Sequence, residues 1–214
     1  MRKAHHGTAS QAIKYKKLRY PCMRQRSFLL SHTTLRWLLT VLAALLWQSC
    51  KEDVQNVYTN IPAYFVCKTV STVAPLNAAL NGLGVFATIR YDRGQFIFTD
   101  ASGKSVPTNA TAIAGNSTIQ MGIAGFIVGL PALPDMNSGT SSPICFDLAC
   151  PHCYSQMNIS RSMSIDEAGK ARCKSCESTF DLNNQGMTVG GPSERGLYRY
   201  PITYSGNTVI ISNQ

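Results

Sequence analysis

Two short cysteine pairs constrain this chain more than any other feature. Cys150-Pro-His-Cys153 and Cys173-Lys-Ser-Cys176 stand nineteen residues apart, a C-x2-C-x19-C-x2-C pattern. Two cysteines three positions apart on a tight turn can aim both sulfurs at one point, and a second such turn completes a tetrahedron. A shared site of this kind brings 150–153 and 173–176 together, which makes Cys150, Cys153, Cys173 and Cys176 candidate metal ligands. The spacing lies in the range of zinc ribbons, and it specifies a shared site more sharply than the ion that fills it. In an exported protein the same four cysteines can instead form two disulfides. A thioredoxin-type redox pair would need a βαβ context, and none is evident. His152 is either an alternative ligand or a polar residue of the turn, since four thiolates already complete a tetrahedral site. It is the only histidine after residue 50, so a site needing two histidines cannot form within one mature chain. Cys67 and Cys145 fall in strand-like segments and read as buried residues, or one disulfide, rather than ligands.

The distribution of charge decides what the basic balance means. Of 20 Lys and Arg residues, nine lie in 1–50, a segment with no acidic residue; the other eleven are matched by eleven Asp and Glu. The net charge of +9 therefore belongs to the N-terminus. A nucleic-acid groove would carry its Lys and Arg within the folded domain, so no nucleic-acid partner is expected. A basic, acid-free start followed by the apolar run Trp37–Trp47 has the form of a secretory signal. Eleven apolar residues are too few for a spanning helix, which needs about 20. Met23, just before Arg24-Gln-Arg26, offers an alternative start. The run ends at Gln48-Ser49-Cys50-Lys51-Glu52-Asp53. This resembles the lipobox of bacterial lipoproteins, with the Cys-Lys-acidic-acidic tag of surface-exported Bacteroidetes members, although Trp47 replaces a smaller aliphatic residue. The resemblance implies that Cys50 is lipidated and becomes the mature N-terminus. The lipid would anchor the protein to the membrane, at the outer membrane, cell surface or periplasm.

The remaining chain has strand character. Ala63–Val70, Leu83–Tyr91, Gln95–Thr99, Gly125–Gly129 and Pro143–Ala149 are rich in β-branched and aromatic residues. Asp92-Arg93-Gly94 reads as a hairpin turn, and Gly196–Tyr204 with Asn207–Ser212 as a terminal hairpin across Ser205-Gly206. Ser105–Ser117 and Pro131–Ser142 read as irregular. Many short strands and no long stretch of helix formers predict an all-β antiparallel sandwich or barrel.

From Cys150 onward the sequence resembles the Rieske iron–sulfur family. Cys150-Pro-His152 matches the family's first cluster loop. Cys173-Lys-Ser-Cys176 matches the second, with Cys176 in the slot of a histidine. Ser178-Thr-Phe-Asp181, Gly191-Pro192-Ser193 and Leu197–Tyr204 match the elements that follow, and Gly125-Phe-Ile-Val and Cys145–Cys150 resemble the upstream framework. The resemblance implies a Rieske-like antiparallel β-sandwich with a small zinc-ribbon or rubredoxin-like metal-binding subdomain. The chain then divides into a signal peptide (1–49), a lipidated cysteine and tether (50–60) and a Rieske-like domain (61–214) with its metal-binding subdomain at 150–181. The family's cluster has two Cys on one iron and two His on the other. Here Cys176 replaces one His and Cys153 is additional, and the positions of a loop-tying disulfide carry Ser155 and Ser175. Two metal chemistries follow. Four cysteines can hold Zn²⁺ as a structural knot. Alternatively Cys150, Cys173 and Cys176, with His152 or Cys153, can hold a [2Fe–2S] cluster in an electron-transfer protein with a redox partner protein. The leader has no adjacent Arg-Arg pair and suits unfolded export, which favours a zinc-type or otherwise degenerate site, formed after export, over an active cluster.

Nothing in the sequence points to catalysis by the chain alone. A Ser-His-Asp set would have to use His152, and Asn81-Gly-Leu-Gly84 is too short for a phosphate loop and precedes a strand. Asp166-Glu167 reads as a solvated turn. Tyr198, Tyr200 and Tyr204 share a face at period two, as one side of a hairpin does.

Overall fold

The computed structural model describes residues 58–115, 117–134 and 139–214. The signal segment, Cys22, Cys50 and most of the tether lie outside the described residues. No helix among the described residues is long and apolar enough to cross a membrane.

The organising element is a six-stranded antiparallel sheet. It is built from β2 (Val85–Asp92), β3 (Gln95–Asp100), β4 (Ser105–Asn109), β6 (Phe126–Leu130), β7 (Ile144–Asp147) and β12 (Arg199–Tyr200), in the order β12-β7-β6-β2-β3-β4. The β2–β3 connection is the expected tight turn. Asp92 pairs with Gln95, and Arg93 and Gly94 both take positive φ, 47° and 81°, which matches the right-handed twist of the two strands.

Both faces of this sheet are buried. Ile89, Phe96, Phe98, Phe126, Val128, Cys145 and Tyr200 point into one core. Phe86, Ile127, Ile144 and Phe146 point into another. The alternation is strict within β6 and β7, as the period of two requires. It explains why these segments read as continuous apolar runs rather than as alternating ones.

The first core is closed by a four-stranded antiparallel sheet, β13-β14-β1-β5, made of β1 (Ala63–Cys67), β5 (Gln120–Met121), β13 (Ile202–Ser205) and β14 (Thr208–Ser212). Phe65, Val209 and Ile211 supply its buried side chains. Phe65 meets Phe96 edge-on with ring centroids 4.9 Å apart. The second core is closed by a small antiparallel sheet, β11-β10-β9-β8, made of β8 (Ser164–Ile165), β9 (Lys170–Arg172), β10 (Thr179–Asp181) and β11 (Met187–Gly190). Its buried residues include Ala171, Phe180 and Leu182.

Among the described residues three short α-helices depart from the purely β expectation: α1 (Ala74–Asn81), α2 (Ala110–Ala114) and α3 (Pro151–Met157). In α1 a proline occupies the first turn, where no N–H is needed, and Leu76, Ala79 and Leu80 are buried at helical spacing. In α2 the Asn109 side chain accepts a hydrogen bond from the Thr111 N–H at 3.1 Å, which starts a helix inside the stretch read as irregular.

The segment Gly196–Tyr204 is not one strand. Its ladder breaks at Pro201, which has no N–H to donate. Before it β12 pairs with β7, and after it β13 pairs with β14 in the other sheet. The three tyrosines consequently part company. The Tyr200 hydroxyl donates to Asp147 at 2.7 Å, and Tyr204 meets Asn81.

Candidate metal centre

The two cysteine pairs sit on different kinds of element. β7 leads into the first pair. Cys150 is the N-cap of α3 with extended backbone, and Pro151 takes the first helical position. Cys153 then lies one turn in, on the same end as Cys150. The helix ends at Asn158, whose φ of 52° places it in the left-handed region that asparagine tolerates. The second pair lies in the six-residue connection between β9 and β10. This loop is closed by Cys173 N–H to Ser178 O and Glu177 N–H to Cys173 O, each 2.9 Å. Arg172 pairs with Thr179 across its base.

These elements bring the sulfurs of Cys150, Cys153, Cys173 and Cys176 within 4.8 Å of one another. Each cysteine of the helix touches one of the hairpin: Cys150 and Cys176 at 3.5 Å, Cys153 and Cys173 at 3.7 Å. Cys150, Cys153 and Cys173 are buried, and Cys176 is partly exposed. All six described cysteines are free thiols, including the buried Cys67 and Cys145.

The environment separates Cys176 from Cys150 and Cys153. Burial pushes Cys153 up to about 11 and Cys150 higher still. Burial also opposes ionisation of Cys176, but hydrogen bonds from Ser178 and the neighbouring thiols outweigh it and bring Cys176 down to about 6. Its Sγ lies 3.2 Å from the Ser178 hydroxyl. Four thiolates in so small a volume repel one another, so they ionise together only around a cation.

His152 is not in this cluster. Its Nδ1 is buried with no hydrogen-bond partner. The side chain lines a cleft of about 630 Å³ with Ser155, Gln156 and Pro192–Arg195. Ser155 and Ser175 are exposed. Asp166 accepts from the N–H groups of Ala168 and Lys170 in an exposed turn, and Glu167 is exposed beside it.

The sequence reading passed over Asp147. Its carboxylate is fully buried. It accepts from the N–H groups of Ile123 (2.7 Å), Ala124 (3.3 Å) and Ala149 (2.7 Å) and from the Tyr200 hydroxyl. Two of these bonds hold the turn before the neighbouring strand β6, and the one from Ala149 holds the chain that leaves β7 toward Cys150. Burial raises its pKa, and the hydrogen bonds from Ile123, Ala149, Tyr200 and Ala124 oppose that rise. The available signal was an acidic residue inside the apolar run Ile144–Ala149. Ser178 and Gly191 were noted only as motif positions. Gly191 has φ 83°, and a Cβ there would lie 2.5 Å from the Ser178 Cα, so the Gly-Pro loop presses directly on the second cysteine turn.

No protein-family profile matches the chain, and no curated protein matches it.

Proposed function

We propose that this protein is a non-catalytic, lipid-anchored extracytoplasmic protein whose four cysteines hold one structural Zn²⁺. The observation that carries the metal reading is the mutual approach of all four sulfurs within 4.8 Å. A tetrahedral ion with Zn–S bonds of about 2.3 Å separates its sulfurs by about 3.8 Å, and the contacts here are 3.5 and 3.7 Å. A [2Fe–2S] cluster places its two ligand pairs on different irons with two sulfides between them, which needs a wider cage. Four thiolates also leave no open coordination position, the mark of a structural rather than a catalytic zinc site. His152 then serves the cleft beside the metal and not the metal itself.

The Rieske-like reading of the fold belongs to the same proposal. It is supported by the adjacency of two cysteine-bearing turns and by the Gly191-Pro192 loop packed against Ser178. The lipid anchor at Cys50, the export route and the membrane location rest on the sequence of residues 37–53.

Metal analysis of anaerobically prepared protein tests the centre. The expected result is a colourless protein with one zinc per chain, dependent on all four cysteines. A red-brown protein containing iron and acid-labile sulfide would replace this reading with electron transfer through a [2Fe–2S] cluster to a redox partner. Globomycin-sensitive processing and labelling of Cys50 by radioactive palmitate test the anchor. A Cys50→Ser chain that still partitions with membranes would remove it.

A further inference from the structure

The four cysteines do not offer equal access to an oxidant. Cys150 and Cys153 are fully buried and Cys173 nearly so, while Cys176 is partly exposed. Its sulfur is in contact with that of Cys150, at 3.5 Å, on the other element. Behind it, Cys153 and Cys173 form a second contact between helix and hairpin at 3.7 Å. We propose that Cys176 is the oxidation site of this cluster, and that hydroperoxides convert the centre to a Cys150–Cys176 disulfide with release of the metal. This rests on the metal reading above for the release step; the pairing rests on the geometry alone.

The chemistry closes without a further reagent. The Cys176 thiolate attacks one peroxide oxygen, the O–O bond breaks, and Cys176 becomes a sulfenic acid as hydroxide leaves. The Cys150 thiolate attacks that sulfur, the S–O bond breaks, a second hydroxide leaves, and the disulfide forms. Two thiolates lose two electrons and the peroxide gains them. The metal, left with two thiolates, dissociates. The sulfurs close from 3.5 Å to the bonding distance of about 2.05 Å, a movement that side-chain rotation and a small shift of the hairpin supply.

The product keeps what the metal held. A Cys150–Cys176 bond ties the start of α3 to the β9–β10 connection, the same two elements joined by the ion. Cys153 and Cys173, protected within, close a second bridge only after the first. Oxidation therefore exchanges one cross-link for another instead of unfolding the small sheet.

The test treats the zinc-loaded full chain with one equivalent of hydrogen peroxide. It follows zinc with a chromophoric chelator and maps disulfides by peptide mass spectrometry. The expected result is one zinc released per disulfide, with the Cys150–Cys176 cross-link at least tenfold more abundant than Cys150–Cys153 or Cys173–Cys176. Cys153→Ser should still form that cross-link, while Cys176→Ser should react at least tenfold more slowly. The reduced, metal-free chain, mapped in the same way, should give the same cross-link. If the chain takes up no zinc, the metal reading fails and this last measurement alone decides the pairing. Dominant cross-links within either pair, or zinc loss through sulfinic acids without a disulfide, would overturn the proposal.

Discussion

Asp147 shows how much one side chain can hold in place. Its carboxylate satisfies three backbone N–H groups and a buried hydroxyl. Each such group left unpaired costs about 1–3 kcal/mol. Asp147→Ala should therefore destabilise the protein by on the order of 3 kcal/mol or more in urea unfolding, and Tyr200→Phe by about 1–2 kcal/mol. The pH dependence has a definite sign. Burial raises the pKa of Asp147 above the ordinary carboxylate value of 3.8, so the folded chain binds this proton more tightly than the unfolded one. Its contribution is most favourable below 3.8 and declines as pH rises through the raised value. Comparing urea midpoints of wild type and Asp147→Asn between pH 3 and 7 isolates that decline; parallel curves would show that the group titrates identically in both states. At the centre itself, Ser178→Ala removes the hydroxyl beside the Cys176 sulfur. On the proposed zinc reading, zinc affinity should fall about tenfold, as for other groups that orient a ligand, measured by competition with a chelator of known affinity.

The elements differ in how tightly they tolerate change, and two glycines make the contrast testable. Gly191 and Gly94 both have positive φ, 83° and 81°. A Cβ at Gly94 meets nothing within 4 Å, whereas at Gly191 it strikes the backbone of Ser178. Gly94→Ala should cost only the left-handed backbone penalty, about 1–2 kcal/mol, and leave metal binding intact. Gly191→Ala should displace the second cysteine turn and reduce the affinity for the proposed metal as well as stability. Equal losses in both variants would mean that the Gly-Pro loop does not brace the turn. The helix α1 is held by packing. Leu76 is fully buried in the first core, so Leu76→Ala should cost about 2–5 kcal/mol with the metal site unaffected.

The two cores predict how the protein responds to metal loss as a whole. The first core contains no residue of the four-cysteine cluster. The second includes Cys150, Cys153 and Cys173 among its buried residues. Stripping the metal should therefore loosen α3 and β8–β10 before it loosens β1–β6. Hydrogen exchange of protein with and without a strong chelator checks this: protection should fall in 150–181 and persist in Phe96, Phe98 and Phe126. Uniform loss would mean that the two cores unfold as one unit.

The cysteine pairs were legible without coordinates because two sulfurs three residues apart are a local device, and a shared target is the simplest use of two such devices. Strands β2, β3, β6 and β7 of the middle sheet were legible for a similar reason, since β-branched and aromatic runs bounded by Asp-Arg-Gly or Pro speak for themselves. The edge strand β4 falls in the polar stretch 105–117 that read as irregular, and it pairs only through β3. Three further things were not legible. The helix at 74–81 has ordinary propensity and forms because the sheet offers a surface for Leu76 and Leu80. The switch of sheets at Pro201 depends on which strands lie to either side. The role of Asp147 depends on partners 23, 24 and 53 residues away. Spacing along a chain governs what neighbouring residues can do together. Which distant segments share a core, and where a buried charge finds its donors, is settled by packing, for which no local pattern stands in.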